Sequence, residues 1–348
     1  MDNGDARLMA RARVLAGWLF AICAMIYVMV LIGGLTRLTY SGLSMVEWKP
    51  LTGWLPPLSP EAWEAAFSKY RDFPEYRELN MGMSLDEFKF IYLMEYSHRL
   101  WGRLIGVAFL VPFVVFFIKG WIDARLLPKL LAMFVLGGLQ GVLGWYMVQS
   151  GLVDEPDVSP YRLTAHLGFA IVVYAYIFWV ALDLWGRPEE SRGEPAPGGL
   201  RRLGLALPIL VFVTILSGGF MAGINAGFAY NTFPTMDGEW IPEGLFGAVP
   251  VYLSFFEDVT TVQFNHRMLA YAVVIIAVVL WFYARGVRLS GRARTAINCV
   301  PVFALLQAVL GISTILLIVP TALAATHQAG AVALLTVTIW AAHALRDE

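Results

Sequence analysis

The sequence contains eight apolar runs, each near the roughly 20 residues that an α-helix needs to cross a lipid bilayer. Because the bilayer core offers no hydrogen-bonding partner to a peptide group, such runs must be helical there. Hydrophobic residues make up 58% of the chain and charged residues 15%, which is more apolar than a soluble domain of this size requires. The sequence therefore predicts an all-α integral membrane protein with spans at about 14–36, 96–118, 128–149, 162–185, 203–224, 263–284, 295–318 and 321–345.

The positions of the basic residues predict how these spans are oriented. Lysine and arginine are concentrated in the N-terminal tail and in the connections after the second, fourth and sixth spans, whereas segments 151–161 and 225–261 contain neither. Short cytoplasmic loops are enriched in these residues, while long translocated loops such as 37–90 are exempt from the rule. We therefore expect both termini to be cytoplasmic and loop 37–90 to lie on the outer side.

The N-terminal sequence and the overall charge indicate which membrane holds the protein and which partners to expect. Two acidic residues near the N-terminus, Asp2 and Asp5, are atypical of a mitochondrial transit peptide, and the first apolar run is too long for a cleaved signal. We expect an uncleaved first helix in a bacterial inner membrane, in contact with lipid. The formal net charge of -1, without a basic block, gives no reason to expect a nucleic-acid partner. Cys23 and Cys299 fall inside predicted spans and indicate no disulfide framework.

The same short motifs occur in the same order in both halves of the sequence. "GGLTR" corresponds to "GGFMA", "YSHRLWG" to "FNHRMLA", "LQGVLG" to "LQAVLG" and "LTAHLGFA" to "AATHQAGA". Since each copy contains four spans, both copies cross the membrane in the same sense, and we expect two four-helix bundles related by a pseudo-twofold axis along the membrane normal. The expected division is an N-terminal bundle over 1–186, a cytoplasmic Gly/Pro-rich linker over 187–202 and a C-terminal bundle over 203–348.

Four of the five histidines occupy matched positions in this repeat, His98 with His266 and His166 with His327. Each bundle therefore has two imidazoles, all in the outer turns of their helices. A single histidine near a helix end is more often interfacial or hydrogen-bonded than a ligand, but ionisable groups within spans tend to be functional. Zinc would need three or four converging ligands, so two imidazoles from different helices better suit the two axial positions of a haem iron.

A small residue lies one turn further into the membrane from each of these histidines, on the same helix face. It leaves flat space in which a macrocycle could lie beside the imidazole, although small residues also serve plain helix packing in membranes. These residues are Gly102, Ala170, Ala270 and Ala331.

Arginines accompany the histidines and suit the anionic propionates of a haem, because guanidinium forms bidentate bonds with carboxylates. The alternative is that these side chains reach lipid headgroups or the outer loops, which is hardest to sustain for Arg103, a full turn deeper than Arg99. His343 has no counterpart in the repeat and is interpreted as interfacial. The propionate candidates are Arg99, Arg103, Arg162 and Arg267.

The two halves differ three residues before the first histidine of each pair, where Glu95 corresponds to Gln263. A carboxylate can exchange a proton or stabilise a positive charge, whereas an amide can only hydrogen bond. This asymmetry indicates that the chemistry belongs in the N-terminal half. An ordinary i,i+4 ion pair between Glu95 and Arg99 is an equally supported alternative. The longer first outer loop suits a lid over a ligand that comes and goes, or a docking surface.

In this order on eight helices, the motifs "EYSHRLWGRLIG", "TAHLGFA", "NHRMLAY" and "THQAGA" resemble the haem A synthase family over essentially the whole sequence, most closely its alphaproteobacterial and mitochondrial branch. The resemblance implies oxidation of the C8 methyl group of haem O to a formyl group, which gives the haem A of cytochrome oxidases. It implies a haem b cofactor on His266 and His327, the substrate haem on His98 and His166, and a catalytic role for Glu95. The cysteine pair that some members carry in the first outer loop is absent here.

Axial ligation by two histidines leaves the iron no open position for O2 unless one histidine leaves, so electron withdrawal from the methyl group followed by attack of water is the expected route. A haem O synthase and an electron acceptor are compatible partners, and so is a second copy of this protein.

Two alternative functions would use the same histidine ligands. One is a dihaem b-type cytochrome that only transfers electrons, and the other is a haem transporter or chaperone that releases its haem unchanged.

Overall fold

The structure, a computed structural model, describes residues 3–48, 52–152, 157–186 and 195–346. Within these ranges the protein is helical, with no strand and a single isolated bridge between Met236 and Glu239. Eight helices are long and apolar enough to cross a membrane, which confirms the eight predicted spans. They are α1 Asn3–Leu38, α4 Leu85–Ile118, α5 Leu127–Gln149, α6 Pro160–Trp185, α7 Gly198–Gly223, α9 Val259–Arg285, α10 Gly291–Leu316 and α11 Thr321–Arg346.

The two long connections contain helices of their own. The connection between α1 and α4 holds α2, Pro60–Tyr70, and α3, Pro74–Glu78. The connection between α7 and α9 holds two short 3₁₀ turns, Ala226–Phe228 and Val251–Leu253, followed by α8, Ser254–Glu257. Each segment leads into the helix that carries the first histidine of a predicted pair, so it can contribute backbone groups to that site.

Helix α4 begins eleven residues earlier than the apolar run suggests, at Leu85 instead of about 96. The cause is a capping box: Ser84 accepts from the N–H of Glu87, and the Glu87 carboxylate accepts from the N–H of Ser84. The predicted loop 37–90 therefore ends at Ser84. The extra turns of α4 are stabilised by α2, because Phe88 stacks on Phe67 with ring centroids 4.8 Å apart in a cluster that also buries Tyr70.

The contacts divide the protein into two compact units, one made of Ala24–Ala170 and the other of Met1–Cys23 together with Ile171–Glu348. This division cuts α1 and α6, whereas the sequence-based division lies at 187–202. Residues 187–194 of that linker lie outside the described ranges. In the second unit α7, α9, α10 and α11 form a ring in which each helix packs on two others, around buried residues such as Leu207, Leu280 and Ile297.

In the unit Ala24–Ala170, helices α4 and α5 carry many exposed apolar side chains, including Val111, Phe117, Phe134 and Val135. Such a surface is suited to lipid, since a membrane helix has no need to hide apolar groups. His98 and His166 both lie in this unit, and His266 and His327 both lie in the other. Each predicted imidazole pair is therefore contained in one unit.

Candidate functional site

Each of the four matched histidines packs against a glycine of a neighbouring helix. A methyl group on Gly144 of α5 would lie 2.9 Å from Cε1 of His166, and one on Gly311 of α10 would lie 2.8 Å from Cε1 of His327. These distances are too short for real contacts, so any larger residue would displace the imidazole. Gly33 and Gly218 lie beside His98 and His266 with more room: a methyl group would lie 3.1 Å from Nε2 of His98, which is tight, and 3.4 Å from Cε1 of His266, which is an ordinary contact.

These glycines are residues of the candidate site that the sequence reasoning missed. All four lie inside the repeated motifs, at the first position of "GGLTR" and "GGFMA" and at the end of "LQGVLG" and "LQAVLG". Their presence in both copies was the available signal, since a glycine that is repeated within a span indicates close approach of another group.

The two histidines of each pair are also close to each other. His98 and His166 are near enough to interact electrostatically, as are His266 and His327. Among the described residues, no cluster of three or more histidine, cysteine or acidic side chains could hold a metal ion. Two imidazoles from different helices are the ligand set of a bis-histidine haem.

The second histidine of each pair is held by a glutamine. Nε2 of Gln140 donates to the carbonyl oxygen of His166 at 3.0 Å and lies 3.1 Å from its Nδ1. Nε2 of Gln307 makes the same contacts with His327, at 2.9 and 3.0 Å. This contact orients the ring of each second histidine. Both glutamines follow a leucine in the repeated "LQ" motif, to which the sequence alone assigned no role.

Glu95 is buried, with 3% of its surface exposed, and is surrounded by donors. Its Oε2 accepts from the hydroxyl of Ser44 at 2.8 Å and from the N–H of Met45 at 2.6 Å, and its Oε1 accepts from Arg99. The i,i+4 ion pair considered as an alternative is therefore present. Two charge-neutral donors reinforce it, so the carboxylate is fixed in position more firmly than a surface ion pair would be.

Gln263 occupies the corresponding position with the opposite hydrogen-bonding sense. Its Nε2 donates to the carbonyl oxygen of Tyr230 at 2.9 Å, in the connection that precedes α9 as Met45 lies in the connection that precedes α4. Glu95 thus receives a backbone N–H where Gln263 meets a backbone carbonyl. The acid and the amide at these matched positions therefore have different backbone partners. The acidic group lies in the N-terminal site.

The arginine that follows each first histidine fastens the connection before its helix. Arg99 donates to the carbonyl oxygens of Met45 at 2.8 Å and Glu47 at 2.9 Å. Arg267 donates to Tyr230 and Thr232, both at 2.9 Å. Much of their donor capacity is thereby used on the protein. Nε of Arg267 is buried without a partner among the described residues and suits an anionic group.

The other two propionate candidates contact aromatic side chains. The guanidinium of Arg162 lies 3.9 Å from the ring centroid of Tyr146 and donates to its carbonyl oxygen at 2.8 Å. Arg103 lies 5.9 Å from the ring centroid of Trp54.

The four small residues that were predicted to leave room for a macrocycle are all half-buried. They are Gly102, Ala170, Ala270 and Ala331. A methyl group on Gly102 would lie 3.4 Å from Cε of Met29.

A second buried carboxyl group lies in the connection between α1 and α4. Glu75 is 3% exposed and accepts from the hydroxyl of Tyr70 at 2.9 Å, which in turn accepts from Nδ2 of Asn80 at 2.7 Å. Burial raises the pKa of Glu75 to about 8, helped by the negative charges of Glu95 and Asp157. Most of this carboxyl group, which the sequence did not single out, is therefore protonated at neutral pH.

His343 is buried, at 2% exposure, and belongs to a polar cluster between α6 and α11. Its Nε2 lies 2.9 Å from Oδ1 of Asp183, which also accepts from Arg346 at 2.7 Å. The ring packs edge-on against Trp179 at a centroid distance of 5.0 Å. The interpretation of His343 as interfacial is therefore incomplete, because sequence reasoning sought partners only within the repeat and missed Asp183.

Comparison with known proteins places these features in a family. The family model described as "Cytochrome oxidase assembly protein", COX15-CtaA, matches residues 16–339. A protein of Nitrosospira multiformis named heme A synthase is 53% identical over 337 residues, which cover 96% of this sequence and 94% of that protein. The human protein named heme A synthase COX15 is 46% identical over 343 residues, covering 97% of this sequence and 84% of that protein.

Proposed function

Because the protein belongs to the family of cytochrome oxidase assembly proteins that contains the haem A synthases, we propose that its two imidazole pairs hold two different haems, a substrate and a cofactor. The activity is the conversion of haem O to haem A, an oxidation of a porphyrin methyl group to a formyl group. The protein is therefore an oxidoreductase that serves cytochrome oxidase assembly.

The substrate site is assigned to His98 and His166 and the cofactor site to His266 and His327. The observation that carries this assignment is the position of Glu95: the acid lies one turn from His98, whereas the other site has the neutral Gln263. Haem b on the second pair would supply one-electron transfer towards an external acceptor. Arg267 is the best-placed partner for its propionate, since its Nε has no partner among the described residues.

Oxidation of a methyl group to a formyl group with water as the oxygen source releases four protons and four electrons, and the external acceptor must take up the electrons. Under this proposal Glu95 stabilises the positive charge that develops on the substrate, or removes a proton from the attacking water. Ser44, Met45 and Arg99 hold the carboxylate in one orientation for that purpose. Arg103 and Arg162 are proposed to meet the substrate propionates.

The repeat-matched contacts support the proposed architecture. Arg99 and Arg267, Gln140 and Gln307, and the glycines beside the histidines make corresponding contacts in the two halves. This supports two bundles related by a pseudo-twofold axis, and the boundary between them is proposed at 187–202. The proposed setting is a bacterial inner membrane, with both termini cytoplasmic and both haem sites towards the outer side. A haem O synthase is the proposed supplier of the substrate.

Expression in a bacterial host that makes haem O but no haem A tests this function. The host should accumulate haem A only when it expresses this protein. If the purified protein holds haem b alone and the host forms no haem A, the protein is an electron-transfer cytochrome. Recovery of haem O unchanged would indicate a carrier. Label from dioxygen in the formyl group would overturn the water route.

A further inference from the structure

The four imidazoles are not held equally. Three of them have a hydrogen-bonding partner at Nδ1: Gln140 at His166, Gln307 at His327, and Ser217 at His266, whose hydroxyl lies 3.0 Å from Nδ1. His98 makes no side-chain hydrogen bond with any described residue. The imidazole without a partner is one of the two assigned to the substrate.

Between His98 and His266 this difference coincides with one substitution between the repeats. Ser217 immediately precedes Gly218, the glycine beneath His266, and the corresponding residue before Gly33 is Ile32. The side chain of isoleucine is unable to donate or accept a hydrogen bond. His98 consequently lacks the contact that its counterpart has.

The orientation of the ring also sets His98 apart. His98 presents Nε2 and Cδ2 to Gly33, where they would lie 3.1 and 3.4 Å from an added methyl group, whereas the ring atom nearest the glycine in each of the other three is Cε1. A hydrogen-bonding partner at a ring nitrogen fixes the orientation of a ligating histidine, and loss of such a partner weakens metal affinity. His98 is thus the least restrained of the four ligands.

A substrate haem must enter and leave in every cycle, whereas a resident haem stays. On the basis of the function proposed above, we infer that His98 is the exchangeable axial ligand: its bond to iron breaks to admit haem O and release haem A, while His166 stays bound. Ligand exchange transfers no electrons, and the lone pair of Nε2 returns to the imidazole. The difference between Ile32 and Ser217 therefore distinguishes a site that exchanges its haem from a site that retains it.

The test introduces a hydroxyl at position 32 and compares that variant with one whose side chain is of similar size but has no hydroxyl. Ile32→Ser copies the arrangement at Ser217, and Ile32→Ala is its matched control without a hydroxyl. Carbon monoxide binds a ferrous haem only when an axial ligand has left, so its rate of binding to the reduced, purified protein reports ligand release without requiring turnover. The rate is read only from haem-loaded molecules, so partial unfolding does not affect it.

We expect carbon monoxide to bind the haem O or haem A fraction of the wild-type protein and to leave haem b unreacted. Ile32→Ser should slow that reaction about fivefold relative to Ile32→Ala, the effect of one hydrogen bond of ordinary strength. Ser217→Ala should make haem b reactive. Equal rates for the two Ile32 variants, or faster reaction at haem b in the wild type, would overturn the inference. A wild-type protein without haem O or A would instead contradict the proposed function.

Discussion

The backbone N–H of Met45 donates to Oε2 of Glu95 at 2.6 Å. This bond ties the connection between α1 and α4 to the acidic group of the N-terminal site. Arg99 completes the arrangement by binding both the carboxylate and the carbonyl oxygen of Met45. Movement of the connection would therefore change the hydrogen bonds of Glu95 directly, which couples this segment to the proposed chemistry.

Replacement of Glu95 by glutamine should abolish most of the activity while leaving the protein able to bind haem. Glutamine is close in size but cannot take a proton or balance a positive charge. We expect haem A formation to fall at least about tenfold and haem O to accumulate on the protein. Chromatography of extracted haems measures this ratio. Glu64→Gln, at an exposed acid of α2, is the control, and a normal haem A yield from Glu95→Gln would remove Glu95 from the mechanism.

Gly144 and Gly311, beneath the second histidine of each pair, should tolerate no side chain. Gly144→Ala would place a methyl group 2.9 Å from His166, at a cost of about 1–3 kcal/mol through strain or displacement of the ring. We expect it to reduce the content of haem O and haem A and to spare haem b, and we expect Gly311→Ala to do the reverse. Gly141→Ala is the matched control on the same helix, because nothing lies within 4 Å of its added methyl group. Equal haem contents in all three variants would contradict this account.

The glutamines behind the second histidines should affect retention of haem more than its initial binding. Gln307→Leu removes the partner of His327 at Nδ1, and such changes weaken metal affinity by roughly 10–100-fold. Loss of haem b to an excess of apomyoglobin should accelerate accordingly. Leu306→Ala, at the exposed neighbouring residue, should leave the rate unchanged. If Gln307→Leu also leaves it unchanged, the glutamine does not hold the ligand.

Glu75 should make the connection between α1 and α4 less stable at alkaline pH. Its pKa is raised by burial from 4.5 to about 8, so its contribution to stability is fully present below pH 4.5 and is lost as pH rises through about 8. The charged groups that act on it are Glu95, Asp157 and Arg37, with Tyr70 as hydrogen-bond donor.

Limited proteolysis of this connection at several pH values tests the effect. Wild-type protein should be cleaved faster as the pH approaches and passes about 8, whereas Glu75→Gln, which stays neutral, should show a flatter profile. Glu78→Gln, at an exposed acid of the same helix, should behave as wild type. A pH profile that Glu75→Gln does not change would show that the carboxyl group is already ionised in the folded protein.

The sequence was sufficient for the spans because hydrophobic length is a local property. It also singled out His98, His166, His266 and His327, since each has a counterpart in the repeat. The early start of α4 escaped prediction because the capping box at Ser84 and support from α2 extend the helix beyond its apolar run. Such support comes from a segment outside the helix and is not visible in the helix's own sequence.

The local environment of Glu95 illustrates that limit. The acid itself stood out against Gln263, but its partners Ser44 and Met45 lie 51 and 50 residues away in the sequence. The fold alone brings them together. Gln140 and the glycines beneath the imidazoles lie in the repeated motifs. Their contacts with the histidines, however, depend on which helices are neighbours in the fold.

The proposed assignment places the substrate on the N-terminal histidines and the cofactor on the C-terminal histidines. Extraction and chromatography of the haems from purified wild-type, His98→Ala and His266→Ala proteins tests it most directly. Wild-type protein should yield haem b together with haem O or haem A; His98→Ala should lose haem O and A but keep haem b; His266→Ala should lose haem b. Loss of haem b from His98→Ala with retention from His266→Ala would contradict the assignment.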